Sequence, residues 1–282
     1  MKLFSPDKAH WYQRDGVPLH TVLSAKSVPR PTTLRDARKL GLLPSVTNIL
    51  GVIAKPELTA WLQEQAVMAA LTLPRRPGDT EDAFARRVVE DSQTTRDGAA
   101  DFGTAFHAGA ERVANTLEVD SNNPAADWLR WYRIWFQTNA QAVHWTEKVL
   151  VNLALGYAGT ADLLIDHVVH GPVLVDLKTM KGSRTATDAA GRAPTPKPYK
   201  SWCYQLAAYR KALGQPVKCM NLIVNSTEAS APVEYVWNEE EMDAGLKAFE
   251  AAHKLWTIEK GYDPVRAAQA IDVESVVVSS TN

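Results

Sequence analysis

Beyond residue 147 the hydrophobic period changes from helical to alternating, and this switch limits the fold more than any other feature of the chain. Val149-Leu150-Val151, Ala161 to Val169 and Val173 to Leu177 read as three strands. Gly156 marks the first turn and His170-Gly171-Pro172 the second. Links this short make consecutive strands antiparallel neighbours. The second turn sets a register that brings Asp162 opposite Asp176.

The flanking segments read mainly as helices. Residues 10–23 alternate around Arg14-Asp15-Gly16 and suggest a short hairpin, followed over 24–44 by an extended, basic arm. Helices are expected near 56–72, with Pro56 in the first turn, at 79–95, and from Gly98 to about Asn115. Asn123 as N-cap and Pro124 open the next one, which carries Trp128, Trp131 and Trp135. Their helical spacing favours core packing over stacking on nucleic-acid bases. A loop at 180–198 precedes a helix over 199–213, stopped by Gly214 and Pro216, and strands at 217–225 and 232–237. The last helix starts at Asn238, sets Glu239, Glu240 and Glu241 in its first turn, and ends at Gly261. The expected class is α/β: a mixed central sheet flanked by helices, with an N-terminal hairpin and a helical extension.

Four elements carry chemistry. Asp176 and Lys178 lie two apart on a strand and share a face, with Leu177 turned into the core. Asp162 follows the small residues of Gly156-Tyr157-Ala158-Gly159-Thr160-Ala161 on the neighbouring strand. Two carboxylates and a backbone carbonyl on adjacent strands make a hard oxygen site suited to Mg²⁺ or Mn²⁺. Gly103, His107 and Glu111 share one helix face, and the glycines at 103 and 109 suggest close approach to another element. Gln205 and Tyr209 are one helical turn apart, with Tyr209 on an apolar stripe.

In order, Gly103 to His107, Gly159 to Asp162, Asp176 to Lys178 and Gln205 to Tyr209 resemble the RecB-type branch of the PD-(D/E)XK nucleases. Pro44-Ser45-Val46-Thr47-Asn48-Ile49-Leu50 is similar to a segment of the phage and mitochondrial-type exonucleases of that branch. The resemblance implies a restriction-endonuclease-like core and a metal-dependent DNA exonuclease of phage-type recombination, repair or processing. A catalytically inactive DNA-binding or assembly protein of the same fold is an alternative, as is a structure- or site-specific endonuclease. It implies that His107, Asp162 and Asp176 ligate Mg²⁺ or Mn²⁺ with the Leu177 carbonyl, and that Lys178 stands beside the attacking water. Gln205 and Tyr209 would support the site or the DNA backbone, with Glu111 and Glu147 available to a second metal or to the outer shell. One nuclease domain would span 1–262, with an N-terminal arm and helices over 1–97, a catalytic core over 98–262, and a tail at 263–282. Partners would be linear DNA ends or single-stranded tails, with room for a recombination partner protein and for a homo-oligomer.

Composition bears on partners and location. No apolar run reaches the ~18 residues a membrane span needs, and Met1 to Pro6 lack a secretory apolar core. A cytoplasmic protein without membrane contact is expected. Two cysteines, Cys203 and Cys219, are too few for the four-cysteine iron–sulfur site of some relatives. The formal net charge is −1, so DNA would have to be held by local clusters. Arg30, Arg35, Arg38 and Lys39 form one, and Lys181, Arg184, Arg192, Lys197 and Lys200 another; Arg75, Arg76, Arg86 and Arg87 are a third candidate.

Overall fold

The computed structural model describes residues 10–181 and 198–267. Its centre is a five-stranded sheet in which β5 (Ala140–Asn152), β6 (Tyr157–His167) and β7 (Gly171–Met180) run as the expected antiparallel meander. Leu163 pairs with Val175 and Leu164 with Leu174, the register read from the second turn. β8 (Lys218–Asn225) then lies parallel to β7, and β9 (Val233–Trp237) closes the other edge antiparallel to β8. A parallel neighbour needs a crossover of a dozen or more residues, which the segment containing α6 (Lys200–Leu213) supplies.

Side-chain alternation sends two apolar sets to opposite faces of this sheet. Leu164, Leu174 and Cys219 pack under α2 (Val46–Leu50), α6 and α7 (Glu239–Lys260), against Val46, Ile49, Leu206, Met242 and Phe249. Ile165, Val173, Val175, Leu177, Met220 and Leu222 face α4 (Glu81–Thr116) and α5 (Ala126–Asn139), against Phe106, Val113, Leu129 and Tyr132. Cys203 and Cys219 are free and buried in the first set. The tryptophan helix divides: Trp135 is buried, Trp131 is exposed, and Trp128 is tied through its indole N–H to the Asn225 carbonyl.

The N-terminal arm departs from expectation. The short hairpin around Gly16 does form, with Tyr12 bridged antiparallel to Pro18 and the Leu19 N–H donating to the Trp11 carbonyl, but β1 (Trp11–Tyr12) also pairs with β4 (Leu43–Pro44), and β2 (Thr21–Leu23) pairs with β3 (Pro29–Pro31). Residues 24–44 are not extended throughout, because α1 (Leu34–Leu40) forms inside them. Thr33 and Asp36 make a reciprocal capping box there, a signal of helix initiation hidden among prolines and arginines. Ser45 caps the additional helix α2. The expected helix at 56–72 is present as α3 (Pro56–Thr72).

Three further boundaries differ. The helices expected at 79–95 and from Gly98 are one, α4, which runs through the 97/98 boundary because one interior glycine costs only about 1 kcal/mol. Asn123 and Pro124 sit in a turn before α5, which starts at Ala126; the Asn123 side chain accepts from the Ala125 N–H and donates to the Ala105 carbonyl. Residues 263–267, expected to open a tail, are ordered, and Pro264 and Val265 approach Gly156. Tyr262 is buried and donates to the Leu42 carbonyl at 2.7 Å. Among the described residues no helix is long and apolar enough to cross a membrane.

Gly109 is where α4 and α5 come closest to collision. A Cβ there would stand 2.2 Å from Leu129 Cδ1, and Leu129 is fully buried. Helix propensity alone favours Gly109→Ala by about 1 kcal/mol. Packing opposes it, and urea denaturation is expected to show a net loss of about 1–3 kcal/mol. A stabilised variant would mean that α5 can move away without cost.

Candidate metal centre

The site lies where β6 and β7 stop pairing. Their ladder ends at Leu163 and Val175, so Asp162 and Asp176 are the next residues on each strand. Here the Leu177 N–H turns to a side chain instead, donating to Asp162 Oδ2 at 2.7 Å. Left unpaired, a buried amide would cost about 1–3 kcal/mol. Leu177 itself is buried in the core, as expected, and joins the site through this N–H. Lys178 and Asp176 do share a face: Lys178 Nζ lies 2.7 Å from Oδ1 and 2.6 Å from Oδ2 of Asp176. Burial pushes the Asp176 carboxyl up to about 6, against the pull of the Lys178 ammonium.

From the other side α4 presents His107, whose Nδ1 is 3.7 Å from Asp162 Oδ2. Ligand atoms of His107, Glu147 and Asp162 all lie within 4.8 Å of one another. Glu147 sits in β5 between Thr146, which pairs with Leu163, and Lys148, which pairs with Ala161, so it faces Asp162 across the strands. Its φ of 45° is left-handed, a conformation that costs a non-glycine residue about 1–2 kcal/mol. Burial pushes its carboxyl up to about 7, and Asp162, Glu111 and Asp176 add like-charge repulsion.

One imidazole nitrogen and two carboxylates can hold a single divalent cation. Opposite ligands of such an ion stand about 4.2 Å apart, so the group needs only a small adjustment to close on one. The raised Glu147 carboxyl and the carboxylates crowded around it are the electrostatic setting that favours a bound cation.

Measured against the expected set, the structure gathers His107 and Asp162 together with Glu147, which was expected only at a second metal or in the outer shell. Asp176 stands behind them with both oxygens engaged, Oδ2 also accepting from Asn221 Nδ2 at 2.6 Å. Glu111 is close enough to repel Glu147 but lies outside the group of three. Gln205 Nε2 donates to the Tyr209 hydroxyl at 3.2 Å, which burial holds well above the ordinary tyrosine pKa. The small residue at 159 has its reason here: a Cβ on Gly159 would stand 2.8 Å from Tyr209 Cε1. Gly103 lies beside the end of β7, its Cβ position 3.4 Å from Thr179 Oγ1. Asn221 and the Tyr12–Thr160 hydroxyl pair, 3.1 Å apart, were not anticipated. Asn221 had one visible signal, a polar residue inside the apolar run Cys219-Met220-Asn221-Leu222-Ile223-Val224.

Several expected DNA-binding cations are committed elsewhere. Arg30 makes a two-armed pair with Asp36, and Arg38 donates to the Lys260 carbonyl. Arg87 pairs with Asp79, and Arg75 lies over the Phe84 ring at 4.7 Å. Arg184, Arg192 and Lys197 lie outside the described residues. Lys181, three positions past Lys178, lies 5.9 Å from the Trp61 ring of α3.

Fold and site together define a mixed α/β protein with a candidate divalent-cation centre at the open end of its sheet. Neither a protein-family model nor a curated protein matches the sequence. Among solved structures the chain is similar to a protein from Eubacterium rectale named "Putative exonuclease", at 13% identity and a TM-score of 0.38, over 58% of this chain and 67% of that one. A likeness this loose decides neither fold nor activity.

Glu147 gives a test that needs no substrate. A carboxyl raised on folding keeps its proton longer in the folded than in the unfolded chain, so its presence lowers stability as pH rises from the ordinary 4.5 to about 7. Glu147→Gln should therefore raise the metal-free Tm at about pH 8 by a few degrees, with the gain fading below about pH 4. The same variant should lose most of the Tm increase that Mn²⁺ gives the unaltered protein. Unchanged stabilisation by Mn²⁺ would remove Glu147 from the ligand set.

Proposed function

We propose that this chain is a Mg²⁺- or Mn²⁺-dependent nuclease that hydrolyses DNA phosphodiesters, working from ends. One observation carries the reading: His107, Glu147 and Asp162 converge within 4.8 Å beside a lysine held on an adjacent buried carboxylate. The motif order described above supplies the choice of DNA and of ends, and so the place in phage-type recombination, repair or processing.

His107, Glu147 and Asp162 would hold the cation, with Asp176 and the Leu177 carbonyl completing the set. Bound there, a divalent ion supplies charge neutralisation for the phosphodiester and lowers the pKa of water. The chain's own residues do the rest. Lys178, about four-fifths buried, offers a fixed ammonium to the charge that develops on the phosphorus oxygens. Asp176 keeps that ammonium from swinging toward solvent. Asp162 joins the centre to the sheet through Leu177, so ligand and backbone cannot shift independently. Tyr209, anchored by Gln205, fills the space beside Gly159 and keeps the wall behind Asp162 dry.

A second reading has its own support. Both Asp176 oxygens already have protein donors, as expected if the fold were kept for binding or assembly without cleavage. End-labelled linear DNA and closed circular DNA, each with Mg²⁺, Mn²⁺ or EDTA, separate the cases. Linear DNA should be degraded and circles spared, with EDTA abolishing both label release and mass loss. Cut circles would make the protein an endonuclease, and inert linear DNA under every metal would favour the assembly reading.

For the residues, Asp162→Asn keeps an acceptor for the Leu177 N–H, and Lys178→Gln keeps a donor for Asp176, so both should fold. Each is expected to lower cleavage by about a hundredfold or more. Calorimetry should find Mn²⁺ binding weakened in Asp162→Asn and retained in Lys178→Gln, since a protonated lysine is no ligand. The opposite pattern would exchange their roles.

A further inference from the structure

Among the described residues Asn221 is the one fully buried side-chain amide beside the centre, and its surroundings leave it a single orientation. It lies on β8 in direct register with Asp176 on β7. Trp237 Nε1 donates to Asn221 Oδ1 at 2.7 Å. An indole nitrogen can only donate, so the amide oxygen must face Trp237 and the NH₂ must face Asp176. Asn221 Nδ2 accordingly lies 2.6 Å from Asp176 Oδ2 and 3.4 Å from the Asp176 carbonyl.

Aspartate has a broad χ2 preference and does not choose its own carboxylate plane. Lys178 bridges both oxygens and permits rotation about the line between them. Asn221 removes that freedom, because a charge-assisted bond to Oδ2 from within the sheet fixes which edge of the carboxylate faces the centre. Its own side chain has no exposed surface, so it cannot touch a substrate.

We propose that Asn221, itself oriented by the Trp237 indole, is a positioning residue that holds the Asp176 carboxylate in its working orientation toward the cation centre and Lys178. The inference rests on the nuclease reading for the purpose it gives to Asp176. The relay starts at the far edge strand: Trp237 ends β9, Asn221 is one strand in, and Asp176 is on the central strand.

The test uses the full chain with Asn221→Leu, Trp237→Phe and the double variant. Tm, kcat and KM on end-labelled linear DNA, and Mn²⁺ affinity by calorimetry without DNA are measured for each. Asn221→Leu is expected to lower kcat or Mn²⁺ affinity by about 10–100-fold, with KM for DNA unchanged. Trp237→Phe, which frees the amide to turn over, should lower the same parameter less. The double variant should then be no worse than Asn221→Leu alone, because the indole acts only through the amide.

A folded Asn221→Leu with lowered Tm but normal kcat and Mn²⁺ affinity would reduce the pair to a structural contact and overturn the proposal. If Asn221→Leu does not fold, normal values in Trp237→Phe overturn it equally. Should the unaltered protein cleave no DNA, the nuclease reading fails, and a selective loss of Mn²⁺ affinity in the variants still supports positioning. If the unaltered protein also binds no Mn²⁺, both fall.

Discussion

One hydrogen bond holds the centre to the fold: the Leu177 N–H donating to Asp162 Oδ2 where β6 and β7 cease to pair. An antiparallel pair that ends inside a protein leaves a backbone donor needing a partner. A carboxylate supplies it, and the strands can then diverge without loss. Divergence opens the space into which His107 descends from α4 and toward which Glu147 turns from β5.

Around that bond, charge is balanced in two layers. Asp176 and Lys178 neutralise one another in the interior, with Asn221 satisfying the remaining lone-pair direction. In front of them His107, Glu147 and Asp162 carry more negative charge than their neighbours cancel, and burial pushes Glu147 up to about 7. Burial and like-charge repulsion there lower the stability of the folded chain as pH rises. The left-handed backbone at Glu147 belongs to the same account, because local strain persists where surrounding structure imposes it.

Two basic residues near the N-terminus serve the fold. Arg30 closes onto the capping carboxylate of α1, and Arg38 reaches the carbonyl at the end of α7, where a cation suits the helix terminus. A cation already forked onto a carboxylate contributes little to long-range attraction. Lys181, just past β7, lies instead against the Trp61 ring of α3.

Strand alternation and turn residues determined the meander, its register, the shared face of Asp176 and Lys178, and the burial of Leu177, because these depend on neighbours in sequence. Cap chemistry located the last two helices to within a residue for the same reason. Tertiary structure decided the rest. The continuity of α4 through Gly98 rests on a cost of about 1 kcal/mol that packing against α3 and α5 overrides. Glu147 joined His107 and Asp162 because it faces Asp162 across β5 and β6, a pairing no motif marks. Asn221 came to Asp176 through parallel pairing across a crossover of nearly forty residues, an encounter no local pattern encodes. What lay along the chain was therefore legible, and what lay across the sheet had to wait for the strands to meet.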